Sequence, residues 1–393
     1  MTAWNPEKVR QDFVLLRNTD RVYFDNAATS QKPQCVLDAV EEFYQKYNAN
    51  VLRGLYPLSV EATERYEAAR RTVQRFIHAA CPEEIIFTRN ATESMNLVAY
   101  SYGMANLKAG DEILVSIMEH HSNILPWQMV SRATGAKLVF LECEPDGTIT
   151  KEKMDAAFSE HTRMVAVTQV SNVLGCVNDI PELVKRARAC GAAILMDAAQ
   201  SAPHMPIDVQ KLDVDFVAFS GHKMLAPMGI GVLYGKQELL EKMPPFLTGG
   251  EMIETVSRYD AVYAELPHKF EAGTVNAGGA VGLAAAIDYL ESYGMDKLHA
   301  VEQELTAYLF RGMKAIPHIH VLGSDREDNH TGIVSFAVDQ VHPHDISEVL
   351  SSDGMDIRAG HHCAQPLHDH LGVHSTARAS LCLLYTSPSP RDA

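Results

Sequence analysis

Lys223 stands directly after an apolar run in FSGHKMLAPMGIG, flanked by Ser220 and His222 and followed by a glycine-containing loop. An amine at a strand end sits at the carboxyl edge of a sheet, where α/β proteins hold ligands. Most lysines are instead solvated surface charges, and that alternative stays open for this one. Asp197 closes another apolar run in AAILMDAAQSAPH, with Gln200 three residues on. An acid in that position caps a turn or helix, or acts as the buried partner of a cationic ligand. Taken together, the two groups suit pyridoxal phosphate. A Schiff-base lysine carries that cofactor, and an aspartate keeps its pyridine nitrogen protonated so that the ring withdraws electrons.

Such a cofactor needs a cradle for its phosphate, and Thr92 in TRNATESMNLVA opens a helical pattern whose free N–H groups and dipole favour an anion. The plainer reading is a helix cap. His120 and His121 in MEHHSNILPWQ follow another strand; adjacent loop histidines are usually surface polar residues, but one of them can stack on a planar ring. Cys363 in IRAGHHCAQP is a metal ligand, a nucleophile or a buried thiol. No second cysteine lies at zinc-finger spacing, which argues against structural zinc. On the residues alone it reads as a buried structural thiol, because free cysteines are mostly buried.

The elements that must position these groups are short β-branched or aromatic runs: EIIF (84–87), EILVSI (112–117), KLVFL (137–141), MVAVTQV (164–170), AAILMD (192–197), DFVAFS (215–220) and IGVLYG (230–235). Helically spaced segments lie between several of them, including IPELVKRARACG, whose final Gly191 suits a helix C-terminus. Strands alternating with helices predict a mostly parallel α/β sheet. From about Ala280 the texture changes to long helical patterns, followed by GIVSFAV and HDISEVLSSDG. The expected organisation is a large domain over 22–280 and a smaller α+β domain formed by 1–21 and 281–393.

The chain has 393 residues, 46% of them hydrophobic and 21% charged, as in a compact globular protein. A formal net charge of -16 works against a nucleic-acid partner, since phosphate backbones are held by clustered Lys and Arg. No stretch approaches the roughly 18 apolar residues of a membrane helix, and the N-terminus lacks a leader pattern, so a cytoplasmic address is expected. The seven cysteines show no disulfide spacing and are expected to be reduced and mostly buried.

The combination of MEHHSNILPWQ, VSNVLG, DAAQ, SGHK, FEAGTVN, RAGHHCAQP and TARAS, in this order, resembles the group II cysteine desulfurases of the SufS/CsdA type, which are fold type I pyridoxal-phosphate enzymes. The resemblance runs from about residue 4 to Ser380. It implies a seven-stranded, mostly parallel sheet flanked by helices, and it assigns roles. Lys223 carries the cofactor, Asp197 pairs with the pyridine nitrogen and His120 stacks on the ring as a catalytic residue. Asn172 and Gln200 lie on the phenolate side, while Thr92, Ser220 and His222 hold the phosphate. Thr274 would reach the phosphate of a neighbouring subunit, which implies a homodimer. Arg378 would grip the substrate carboxylate, with Arg358 as a second arginine of the site. Cys363 becomes the nucleophile that takes sulfur from L-cysteine as a persulfide, leaving L-alanine. No metal is implied.

The resemblance also implies a sulfur acceptor of the SufE or SufU kind and a place in iron–sulfur cluster assembly. Activity on selenocysteine or cysteine sulfinate, or an inactive sulfur-transfer scaffold, are its alternatives. The chain departs from the family pattern at Leu52 and Tyr56, where histidines are usual, and at Asn90 and Ala91, which replace a Gly-Thr-Thr run. It departs most in LCLLYTSPSPRDA, residues 381–393, which look like a translated cloning adapter; the expectation is that the family's final strand and helix are missing.

Overall fold

The computed structural model describes residues 5–324 and 329–382; the atypical tail beyond Cys382 lies outside the described residues. Every one of the seven apolar runs folds as a strand: β1 (Ile85–Thr88), β2 (Glu112–Ser116), β3 (Lys137–Leu141), β4 (Thr162–Thr168), β5 (Ala193–Asp197), β6 (Phe216–Ser220) and β7 (Gly231–Gly235). They form one sheet in the order β1-β7-β6-β5-β4-β2-β3. Strand β7 runs antiparallel to both its neighbours, and all other pairings are parallel.

Such a sheet is covered on both faces, which is why its strands read as unbroken apolar runs rather than alternating ones. Alternate residues serve two cores. Val165 and Val167 of β4 and Ile194 and Met196 of β5 point into one of them. There they meet Ala62, Tyr66, Ala69 and Val73 of helix α1 (Pro57–Phe76). Met164, Ala166 and Leu195 face the other core, with Met95 and Leu97 of α2 (Ala91–Leu97) and Trp127 and Val130 of α3 (Leu125–Thr134). Helix α4 (Ile180–Cys190) ends where the sequence predicts, at Gly191 with φ 72°, a left-handed cap that costs glycine no Cβ clash.

Helix α5 (Ala277–Tyr293) contributes Ala280, Leu283, Ile287 and Leu290 to the core that α1 also fills. After it come α6 (Met295–Lys314), β8 (Ile319–Val321), β9 (Ile333–Val338), α7 (Pro343–Ser352), β10 (Arg358–Gly360), α8 (Gln365–Leu371) and β11 (Thr376–Ser380). The four strands make an antiparallel sheet in the order β8-β9-β11-β10. The N-terminal segment returns to this region: Val22–Tyr23 pairs with Met355–Asp356, and Asp25 bridges to Ser380.

One buried ion pair ties α1 to the loop that leads to Thr274. Arg70 grips Glu271 through both of its terminal nitrogens, at 2.7 and 2.9 Å, with each side chain only 1% exposed. Burial alone would raise the Glu271 carboxyl, but Arg70, the Phe87 N–H at 2.7 Å and the Tyr66 hydroxyl at 2.8 Å outweigh it and hold the group below its usual range. Glu271→Leu leaves the buried guanidinium with the half-buried Glu67, at 2.9 Å, as its remaining ion-pair partner and strands the Phe87 N–H and the Tyr66 hydroxyl, so it is expected to cost about 2–4 kcal/mol in urea unfolding. A loss below about 1 kcal/mol would show that Glu67 and water satisfy Arg70 without Glu271.

Candidate active site

A cavity of about 320 Å³ opens beyond the carboxyl ends of the parallel strands. Thr168, Asp197 and Ser220, the last residues of β4, β5 and β6, line it, the position at which open α/β sheets bind ligands. Of the residues singled out in the sequence, Thr92, His120, Asn172, Asp197, Gln200, Ser220, His222, Lys223, Arg358, Cys363 and Arg378 all line it. Thr274 does not; it is exposed and lines a separate cavity of about 490 Å³ with Gly229 and Asn276.

Lys223 sits on the short turn after β6. Its amine makes no hydrogen bond to the described residues, and burial pulls it down to about 8, with Asp197 opposing that shift. Burial raises the Asp197 carboxyl, while the Ala199 N–H, donating at 2.8 Å, and Lys223 act against this. The two groups form a desolvated pair of opposite charge. His120 accepts from the Ser122 N–H through Nδ1 at 3.1 Å, which leaves Nε2 as the protonated nitrogen of a neutral ring. Burial, with Lys223, His121 and Arg378 adding, pushes that ring down to about 3.

Behind His120 lies Glu119, fully buried, which the sequence reading quoted within its motif but gave no role. Its carboxylate accepts from the Thr168 N–H at 2.7 Å and the Asn123 amide at 2.7 Å, and it pairs with the Ser116 hydroxyl. Burial and the nearby Asp197 raise it to about 8. These bonds fasten the β2–α3 loop to the end of β4 and so fix where His120 stands. Glu119→Leu removes every one of them and strands three donors; a loss of about 2–4 kcal/mol is expected in urea unfolding.

Next to His120, Thr92 and Ser122 pair through their hydroxyls at 2.7 Å, and Ser220 Oγ accepts from the Ala91 N–H at 2.8 Å. Gly231 permits this approach, because a Cβ there would stand 2.5 Å from the Asn90 backbone. His222 completes this wall with a ring held neutral, down to about 4, by burial and by the adjacent Lys223 and Lys32.

Two arginines face each other across β10 and β11, Arg358 opposite Arg378. Asp25 takes both: Arg358 donates through Nη2 at 2.8 Å and Nε at 3.0 Å, and Arg378 Nη2 lies 3.6 Å away. No feature of the sequence marked Asp25, which lies 333 positions from Arg358. Arg378 is 3% exposed, not the surface arginine that residue type alone suggests. Its Nη1 donates to the Asn172 carbonyl at 2.8 Å, while its buried Nε has no partner. Burial pulls this guanidinium down to about 10, Asp25 opposing. A desolvated cation with an unused donor on a cavity wall is suited to a small carboxylate.

Cys363 is exposed and lines the cavity, which removes the buried-thiol reading. Among the seven cysteines, none of them in a disulfide, only Cys143, Cys176 and Cys382 are buried, so the expectation of mostly buried thiols fails. His362 and Cys363 both adopt left-handed backbone, with φ 51° and 56°. Each costs about 1–2 kcal/mol, which the surroundings must offset. The His121 N–H donates to the Cys363 carbonyl at 2.7 Å, and the Asn172 amide donates to the His362 carbonyl at 2.7 Å. The His362 ring bonds the Thr376 hydroxyl at 2.9 Å, and His121 Nε2 accepts from the Gln365 N–H at 3.1 Å. Both His121 and His362 therefore shape the loop. Among the described residues no His, Cys, Asp and Glu cluster is arranged to hold a metal.

The chain as a whole has relatives. The chain matches the aminotransferase class-V family over residues 22–388. A relative from Halalkalibacterium halodurans named "Probable cysteine desulfurase" is 53% identical over 365 residues, covering 93% of this chain and 89% of its own. Another of that name from Streptomyces coelicolor is 49% identical over 396 residues, covering 98% and 94%. The apo cysteine desulfurase of Thermococcus onnurineus superposes with a TM-score of 0.94 at 42% identity, covering 99% of this chain and 96% of the other. Escherichia coli CsdA superposes with a TM-score of 0.91 at 39% identity over the same shares. With a family match over nearly its whole length and relatives at about half identity, the chain belongs to the class-V aminotransferase family and, within it, to the cysteine desulfurases.

Proposed function

We propose that this protein is a pyridoxal-phosphate enzyme that transfers the sulfur of L-cysteine to Cys363 and releases L-alanine. The observation that carries this reading is one cavity holding a buried amine beside a buried carboxylate, a desolvated arginine with an unused donor, and an exposed thiol. The residues fit the cofactor. The Lys223 amine is unengaged, Gln200 Oε1 is buried without a partner, and hydroxyls and N–H groups of the Thr92, Ser122 and Ser220 wall suit a phosphate. Asp197 would hold the pyridine nitrogen, His120 the ring face, and Thr92, Ser220 and His222 the phosphate, with Asn172 and Gln200 on the phenolate side. When bound, the cofactor supplies an electron sink for negative charge at the substrate α-carbon.

The chain's own residues then divide the work. Arg378, with Arg358 beside it, binds and orients the substrate carboxylate. Lys223 moves the α-proton, a task for which burial has brought its amine close to neutral pH. The Cys363 thiolate attacks the substrate sulfur; the new S–S bond forms as the carbon–sulfur bond breaks, and protonation of that carbon completes alanine. Cysteine plus protein thiol thus becomes alanine plus protein persulfide, with atoms and electrons balanced. Incubating the cofactor-loaded protein with L-cysteine is expected to yield alanine together with a gain of one sulfur atom on the peptide containing Cys363. Absence of alanine from loaded protein would remove the assignment.

Exposure of Cys363 suits delivery of the persulfide to an acceptor protein of the SufE or SufU kind, and from there to iron–sulfur cluster assembly. The exposed position of Thr274, outside the cavity, suits a homodimer in which it serves the partner's phosphate site. Cytoplasmic residence belongs to the same reading; no helix among the described residues is long and apolar enough to cross a membrane.

Loading gives a further test, because Lys223 would hold the cofactor through its neutral amine. With that amine near 8 rather than its ordinary 10.5, the loading rate of apoprotein is expected to rise as pH increases through about 8 and then level off. Stopped-flow mixing at constant ionic strength reads this profile. A rise that continues toward 10.5 would mean that Lys223 is not desolvated before loading.

A further inference from the structure

The carbonyl of His222, whose peptide bond leads into Lys223, is held by four donors. The Ser30 N–H lies at 3.0 Å, the Ser30 hydroxyl at 3.1 Å, the Thr29 hydroxyl at 3.1 Å and the Lys32 ammonium at 3.0 Å. A carbonyl oxygen has two lone pairs, so four converging donors exceed what satisfying it requires. Each hydroxyl is itself fixed from behind. Ser30 Oγ accepts from the Leu225 N–H at 2.8 Å, which lies on the far side of the same turn, and Thr29 Oγ1 accepts from Lys32 Nζ at 3.4 Å. Lys32 also donates to the Ser30 carbonyl, so its three N–H groups meet three acceptors.

This ammonium is partly buried, and among the described residues it forms no ion pair with a carboxylate. Desolvation pulls it down to about 8. A lysine is a poor choice for a structural hydrogen bond that a glutamine could make, because holding its charge away from water costs free energy without a paired anion. Lys32 lies outside the cavity lining and the substrate-binding arginines.

We propose that Lys32 is a positioning residue for Lys223: with Thr29 and Ser30 it anchors the His222 carbonyl and thereby sets where the reactive amine stands. The proposal rests on the reading of Lys223 as the lysine that carries the cofactor. The turn after β6 is short and begins at the sheet edge, so a shift of the His222–Lys223 peptide passes directly to the amine, and misplacement on the scale of 1 Å can lower a rate by as much as about 10²-fold.

The test uses full-length protein loaded with pyridoxal phosphate, with Lys32→Met and Lys32→Arg variants. Borohydride reduction followed by peptide mapping first locates the cofactor in the parent; reduction at any residue other than Lys223 overturns the underlying reading and this proposal with it. With Lys223 confirmed, Lys32→Met is expected to lower kcat for alanine release about 10-fold with KM changed less than about 2-fold, and to shift the pH titration of the bound cofactor's visible band. Lys32→Arg, which keeps charge and donors, is expected to recover most of both. Parent-like kcat and an unchanged titration in Lys32→Met would overturn the proposal. So would a fall in melting temperature and activity together that Lys32→Arg does not relieve, because that pattern marks a residue needed only for folding.

Discussion

Lys223→Ala is expected to lower kcat for alanine release by about 10⁴-fold, the scale on which a positioned general acid–base group contributes. The amine has no neighbour able to replace it. His120 is held neutral at about 3 with its Nδ1 engaged by Ser122, and the Asp197 carboxyl accepts from the Ala199 N–H. Added small primary amines should therefore restore part of the lost rate, which separates loss of the proton carrier from collapse of the site. A variant within about 10-fold of the parent would show that another group moves the proton.

The same substitution should leave the apoprotein at least as stable as the parent, and the sign follows from the direction of the shift. Burial lowers Lys223 from 10.5 to about 8, so the folded state disfavours its charged form. Below about 8 both the folded and unfolded chains carry the proton, and the folded state bears that penalty in full. Between about 8 and 10.5 the folded chain releases its proton first, so the penalty shrinks; above 10.5 it is gone. The stabilisation of Lys223→Ala relative to parent should be largest below about 8 and vanish at high pH. A variant that melts well below its parent at pH 7 would mean that the lysine packs rather than merely waits.

Cys363→Ala should reduce alanine release on the order of 10³-fold, about 4 kcal/mol of barrier, while cofactor loading stays intact. The fold around position 363 does not depend on sulfur. The His121 bond is made to the backbone carbonyl of residue 363, and the Asn172 and Thr376 bonds are made to His362, so alanine keeps the loop and its left-handed backbone. Loss of turnover is thus attributable to the missing nucleophile. Mass analysis should show no sulfur added to the variant's corresponding peptide. Sustained alanine release from Cys363→Ala would mean that an outside thiol collects the sulfur directly and that the loop serves another purpose.

Much of the fold was legible along the chain because its sheet is buried on both faces. Runs such as AILMD and FVAFS carry no alternation and are bounded by polar turns, so their number and positions were evident, as was the glycine that ends α4. The paired roles of Lys223 and Asp197 were legible for a similar reason: each directly ends such a run, and parallel strands bring their carboxyl ends to one edge. Residues at β5 and β6 ends must then share that edge whatever else the chain does.

Other parts of the site are long-range, and no local pattern encodes them. Residue type makes Cys363 a buried thiol, yet it is exposed on a loop of two consecutive left-handed residues that pays its strain through contacts with His121 and Asn172. Asp25, which holds both Arg358 and Arg378, lies in a segment that meets them only because β11 bridges back to the N-terminal stretch. Lys32 looks like any solvated lysine until its three acceptors are seen converging from Thr29, Ser30 and His222. Hydrophobic periodicity states which residues leave water and in what order the strands come. Which charges are desolvated together, and therefore which amine, arginine and thiol become reactive, depends on contacts between segments hundreds of residues apart, and only packing sets those.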